Sequence, residues 1–139
     1  MSKIAVVYWS GTGNTQAMAD AVVNGAREAG GEVSLYPVSE FDPALVSSFD
    51  SVAFGCPAMG AEELEESEFE PVFSACDISG KKIALFGSYG WGDGEWMRSW
   101  EERCKNAGAD IVCESVMCND APDDTGIASC VELGKALNA

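Results

Sequence analysis

Three short apolar runs constrain this chain more than any other feature. Residues 3–9 (KIAVVYW), 51–56 (SVAFGC) and 81–88 (KKIALFGS) are rich in β-branched and aromatic residues. The apolar centre of 81–88 does not alternate with polar residues, which is the mark of a strand covered on both faces. Helical stretches follow at 14–29, stopped by Gly30-Gly31, at 94–107, where Trp96, Met97, Trp100 and Cys104 fall at helical spacing, and at 124–138. Further strands read at 32–37 and within ADIVCESVMC, 109–118. Strand and helix alternate without a linker or repeat, so the 139 residues are expected to form one domain, 1–139.

Such an order predicts a parallel α/β sheet with right-handed crossovers and helices on both faces. Ligands bind such sheets beyond the carboxyl ends of the strands. The chain's unusual loops fall there: SGTGNT (10–15) after the first strand, PAMGAEELEESEFE (57–70) after the third, and YGWGDG (89–94) after the fourth.

Composition narrows the partners. Eight basic residues against 23 acidic ones give a net charge of −15, and there is no histidine. That field repels phosphate backbones and anionic lipid, excluding nucleic acid and membrane surfaces as expected partners and favouring basic protein surfaces. No signal pattern or membrane-length apolar run is read, so a soluble, cytoplasmic protein is expected. The six cysteines make no CxxC pair, and without histidine neither a metal site nor a disulfide framework is expected. Cys56 lacks a base to activate it and reads as a structural thiol.

In SGTGNT, Gly11 and Gly13 allow backbone N–H groups to turn inward, Ser10, Thr12 and Thr15 add hydroxyls, and Asn14 adds an amide at a helix start. The loop lacks the lysine of a triphosphate loop and the third glycine of a dinucleotide loop. A cup of neutral donors suits one phosphate monoester; a glycine-rich turn that binds nothing is the plainer alternative. Trp91, between Gly90 and Gly92, is a candidate to stack on a planar ligand, and Met59 can cover the opposite face, with Gly60 freeing the adjoining peptide. Trp96 and Trp100 read as core or interface residues.

YWSGTGNT, PAMG, EELEESEFEP, GKKIALFGSYGWGDGEWM and the closing ELGKAL together resemble the short-chain flavodoxins of anaerobic, clostridial-type bacteria, over essentially the whole chain. The lack of a long insertion in the last strand matches the short-chain type. The resemblance implies a flavodoxin-like three-layer α/β/α sandwich with a five-stranded parallel sheet, order 2-1-3-4-5, and FMN as cofactor. Its phosphate would lie in Ser10–Thr15, Met59 and Trp91 would cover the ring, Glu62 would meet the ring N3–H, and backbone donors at Gly90–Gly92 would face the pyrimidine edge. Pro57, Ala58, Gly60 and Ala61 complete the covering turn. Ala61 stands where some relatives carry an acidic residue, a difference that bears on the potential rather than on binding. Ser88, Tyr89 and Asn119 are carried over near the ribityl chain or cofactor rim.

An electron carrier for redox proteins, a monomer with no catalytic acid or base, is therefore expected. Glu62, Glu63, Glu65, Glu66, Glu68 and Glu70 would each oppose added negative charge on the flavin by about 0.4 kcal/mol at about 10 Å, together about 2 kcal/mol before salt screening. An FMN-dependent quinone or azo reductase is the alternative; it would need a substrate pocket and usually a nicotinamide site, for which this compact, acidic chain offers neither room nor a cluster of basic residues.

Overall fold

The computed structural model describes residues 2–11, 13–59, 63–90, 92 and 94–138. Its elements are β1 (Lys3–Tyr8), α1 (Asn14–Glu28), β2 (Glu32–Pro37), β3 (Ser51–Gly55), α2 (Phe69–Ala75), β4 (Lys82–Tyr89), α3 (Glu95–Asn106), β5 (Asp110–Ile111), β6 (Val116–Asn119) and α4 (Asp124–Ala136), with short 3-10 turns at Val38–Glu40 and Pro43–Ser48. Every strand pairing is parallel, in the order β2-β1-β3-β4-β5, and β6 also pairs with β4.

The apolar runs are continuous because neighbouring residues bury on opposite faces. Val52, Phe54, Ile83 and Leu85 face α2 and α3, where Phe69, Phe73, Trp96 and Trp100 pack. Ile4, Val6, Ala53, Ala84 and Phe86 face α1 and α4, against Met18, Val22, Cys130 and Leu133. Phe69 and Phe73 both meet Trp100 edge-on, with centroids 5.5 and 5.8 Å apart. Trp96 and Trp100, read as core or interface residues, are core, each 2% exposed.

The expected fifth strand is broken in two. Ile111 pairs with Ile83 and Val116 with Phe86, so residues 112–115 span the distance that 84–85 span on β4. The surplus residues leave the ladder, and Ser115 Oγ there donates to Glu101 Oε2 at 2.7 Å. The polar pair Glu114-Ser115 interrupts an otherwise apolar run, and it marks the break.

Among the described residues no helix is long and apolar enough to cross a membrane, and no cluster of metal-ligating side chains occurs. All six cysteines are free thiols. Burial pushes the Cys56 thiol up to about 12, as suits a packing residue rather than a nucleophile.

Candidate functional site

The loops after β1, β3 and β4 converge beyond the carboxyl ends of the sheet. Between them lies a cleft of about 230 Å³ lined by Trp9, Gly11, Asn14, Pro57, Ala58, Met59, Ser88, Tyr89, Gly90 and Asp120. A larger cavity, about 630 Å³, opens beside β6 and α4. That cavity draws no lining residue from SGTGNT or PAMG and has no aromatic lining, whereas the smaller cleft joins the loops after β1, β3 and β4 and is the candidate.

The first loop is built to gather donors. Gly13, at φ 94°, precedes α1 in a left-handed conformation that favours glycine. The N–H groups of Gly13 and Gln16 both donate to Ser10 Oγ, at 3.0 and 3.3 Å. Two backbone donors thus converge on one oxygen at a helix N-terminus, the donor set that an oxyanion takes. Thr15 is buried, and its hydroxyl shares a 3.0 Å hydrogen bond with the Ser88 hydroxyl, tying α1 to β4 beneath the cleft.

The second loop is held by its backbone. Ala58 N–H donates to the Ser88 carbonyl at 3.0 Å. Met59 and Glu63 exchange both backbone hydrogen bonds, at 2.8 and 3.0 Å, closing a tight turn. Met59 remains 38% exposed at the cleft, a large apolar residue left partly open to solvent. Behind the turn, Glu65 is buried and its carboxylate accepts from Ser67 N, Ser67 Oγ, Glu68 N and Phe69 N. Burial raises its pKa, but the Ser67 hydroxyl and the three N–H groups outweigh that and hold it at about 2.

Tyr89 ends β4 in register with Asn119, which is exposed at the end of β6. Asp120 follows with φ 56°, its N–H donating to the Tyr89 carbonyl at 2.8 Å, and its carboxylate lies by Gly90. Gly92 has φ 89°, again the left-handed region.

The structure therefore brings Gly11, Asn14, Pro57, Ala58, Met59, Ser88, Tyr89 and Gly90 into one cleft. Ser10, Gly13 and Thr15 shape the loop at its edge, Asn119 precedes the lining residue Asp120, and Gly92 lies two residues beyond Gly90 without itself lining the cleft. The expectations for Thr12, Gly60, Ala61, Glu62 and Trp91 lie outside the described residues. Trp9 and Asp120 were missed by sequence reasoning; their only signal was adjacency to a strand end and a glycine loop. Two glutamates of the acidic run are also committed internally: Glu65 as above, and Glu70, whose pKa is lowered by a bidentate pair with Arg103, both contacts 2.6 Å.

A parallel α/β protein with a neutral, donor-rich loop, an aromatic and thioether-lined cleft and no cationic clamp among its described lining residues is suited to a planar ligand bearing one oxyanion; FMN fits this donor set. The flavodoxin family model matches residues 6–134. The chain is 44% identical to the flavodoxin of Megasphaera elsdenii over 135 residues, 96% of each chain, and 46% identical to that of Clostridium beijerinckii over 134 residues, 95% of this chain and 96% of the relative. The solution structure of two-electron reduced Megasphaera elsdenii flavodoxin superposes with a TM-score of 0.89 at 43% identity, covering 97% of this chain and 98% of that one. The chain belongs to the flavodoxin family. It is a low-potential FMN electron carrier serving redox proteins, not an enzyme, which decides against the reductase alternative.

Proposed function

We propose that residues 1–139 act as one FMN-binding domain in which Ser10–Thr15 take the phosphate, Pro57–Glu62 and Gly90–Gly92 enclose the ring, and Ser88, Tyr89 and Asn119 border the cofactor. The observation that carries this reading is the convergence of Gly11, Asn14, Met59, Ser88 and Tyr89, from three loops, on one cleft. Bound FMN supplies one-electron chemistry. The chain's own part is to orient and cover it: Met59 and Trp91 exclude water from its faces, and Glu62 and the backbone donors at 90–92 hold its pyrimidine edge. The acidic surface, with net charge −15, guides basic docking surfaces of reductases and acceptors to a monomer in the cytoplasm.

Titration of apoprotein with FMN and with riboflavin tests the assignment. FMN is expected to bind at least about tenfold tighter, because a charge-assisted hydrogen bond contributes about 1.5 to 3 kcal/mol. Equal affinities would remove residues 10–15 from phosphate binding. Trp91→Ala should weaken both flavins, since riboflavin carries the same ring; unchanged affinities would take Trp91 out of the site.

A further inference from the structure

The geometry points to Trp9 and Glu68 as a brace that couples the phosphate loop to the turn covering the flavin, Glu68 acting as a positioning residue. This rests on the cofactor site proposed above.

Trp9 directly follows β1, and its N–H is anchored on the Gly55 carbonyl at 3.0 Å. Its indole leans on the phosphate loop so closely that a Cβ at Gly11 would stand 3.0 Å from Trp9 Cη2 and 3.3 Å from Cζ3. The indole Nε1–H reaches across 59 residues of sequence to donate to Glu68 Oε1 at 3.2 Å. Glu68 is itself anchored: its N–H donates to Glu65 Oε1 at 2.7 Å, and Glu65 N–H donates to Cys56 Sγ at 3.3 Å. Glu65 lies two residues beyond Glu63, the residue that closes the Met59 turn. Contacts therefore run from Gly11 through Trp9 and Glu68 to Glu65, which the backbone joins through Leu64 to Glu63, the bridge partner of Met59.

The consequence follows from what FMN asks of the protein. Its phosphate must order one loop and its ring the other, and each ordering costs conformational entropy. A side-chain brace makes the order of one loop favour that of the other, which is a coupling free energy between two subsites. Riboflavin, lacking the phosphate, engages only the ring subsite. The worth of the phosphate, read as the ratio of FMN to riboflavin affinity, should depend on the brace.

The test is that ratio, measured by flavin fluorescence quenching on apoprotein. Glu68→Leu removes the acceptor, while Glu68→Gln keeps an oxygen there. Trp9→Phe removes the donor and the part of the ring that lies over Gly11. The ratio is expected to fall about threefold to tenfold in Glu68→Leu and Trp9→Phe, the span of one modest hydrogen bond. Glu68→Gln should recover at least half of that fall on a logarithmic scale, and the urea midpoint of Glu68→Leu apoprotein should stay at the wild-type value. The double variant Trp9→Phe/Glu68→Leu should be no worse than the poorer single variant. A ratio unchanged in Glu68→Leu, a Glu68→Gln protein as impaired as Glu68→Leu, or additive effects in the double variant would overturn the brace. If wild-type apoprotein itself shows no preference for FMN, the phosphate-site reading fails and the brace with it. A wild-type preference that persists intact in Glu68→Leu defeats the brace alone.

Discussion

Glu65 illustrates how one side chain can hold a functional loop. Its buried carboxylate collects four donors from residues 67–69 in the space between the Met59 turn and α2. Its pKa is lowered from 4.5 to about 2. A carboxyl depressed on folding contributes stability that is present above its unfolded pKa and lost as pH falls through its folded one. That contribution is of the order of 2 to 3 kcal/mol, present near neutrality and lost between about pH 5 and pH 2. Glu65→Gln replaces one acceptor oxygen with a donor that faces other donors, so apoprotein stability should drop by about 2 kcal/mol at pH 7. The gap from wild type should narrow toward pH 3, as measured by urea unfolding at both pH values. A constant gap would show that the carboxylate's charge is not what the loop uses. Close by, Ser88→Ala should cost about 1 kcal/mol in the same assay, because the buried Thr15 hydroxyl loses its partner.

At the scale of elements, α1 and α4 approach each other through glycine. A Cβ at Gly25 would stand 1.9 Å from the Val131 carbonyl oxygen, and one at Gly134 would stand 2.1 Å from that of Val22. Both obstacles are helix backbone, which cannot swing aside as a flexible side chain can. Alanine ordinarily favours a helix over glycine by about 1 kcal/mol. Here overpacking, typically about 1 to 3 kcal/mol and more where backbone must move, should win. Gly134→Ala is therefore expected to lower the urea midpoint, and a neutral or raised midpoint would mean the helices sit farther apart. The same closeness explains why ELGKAL, a plain helical segment by its residue pattern, carries a glycine in its interior. The β5–β6 interruption is a second element-level feature. It leaves β6 beside the cleft end of β4, with Asp120 in the cleft lining, while β5 completes the ladder at the other end of β4.

For the whole molecule the dominant property is charge. A net charge of −15 makes the folded chain repel itself, while steering basic partners from a distance. Both effects weaken as the Debye length shrinks from about 14 Å at 0.05 M salt to about 4 Å at 0.5 M. The thermal midpoint of apoprotein should therefore rise across that range, while the second-order rate of electron exchange with a basic partner should fall by about tenfold or more. A salt-independent rate would leave the acidity as a solubility device. FMN acts on the molecule through linkage. At a hundred times its dissociation constant a native-state ligand stabilises by about 2.7 kcal/mol, so saturating FMN should raise the midpoint by several degrees. Riboflavin, at matched free concentration, should raise it less.

The layered sheet is legible from residue order, because a strand buried on both faces must be apolar without alternation, and a parallel pair needs a helix-length crossover. IAVVY, SVAFG and KKIALFGS satisfy the first condition, and the stretches after them satisfy the second. The same order places the glycine loops at the ligand-binding edge, and the joint pattern of YWSGTGNT, PAMG and YGWGDG indicates the family and its FMN. Which residues touch is set by the packing of the layers. The Trp9–Glu68 contact, the Glu65 N–H bond to Cys56 Sγ and the Glu70–Arg103 pair join positions that local periodicity treats as independent. The break at 112–115 arises where four residues run beside the two at 84–85 of β4, and the left-handed Asp120 follows the last paired residue of β6. Local pattern records what each residue prefers as its surroundings, whereas the partner that supplies those surroundings is set only when the layers close.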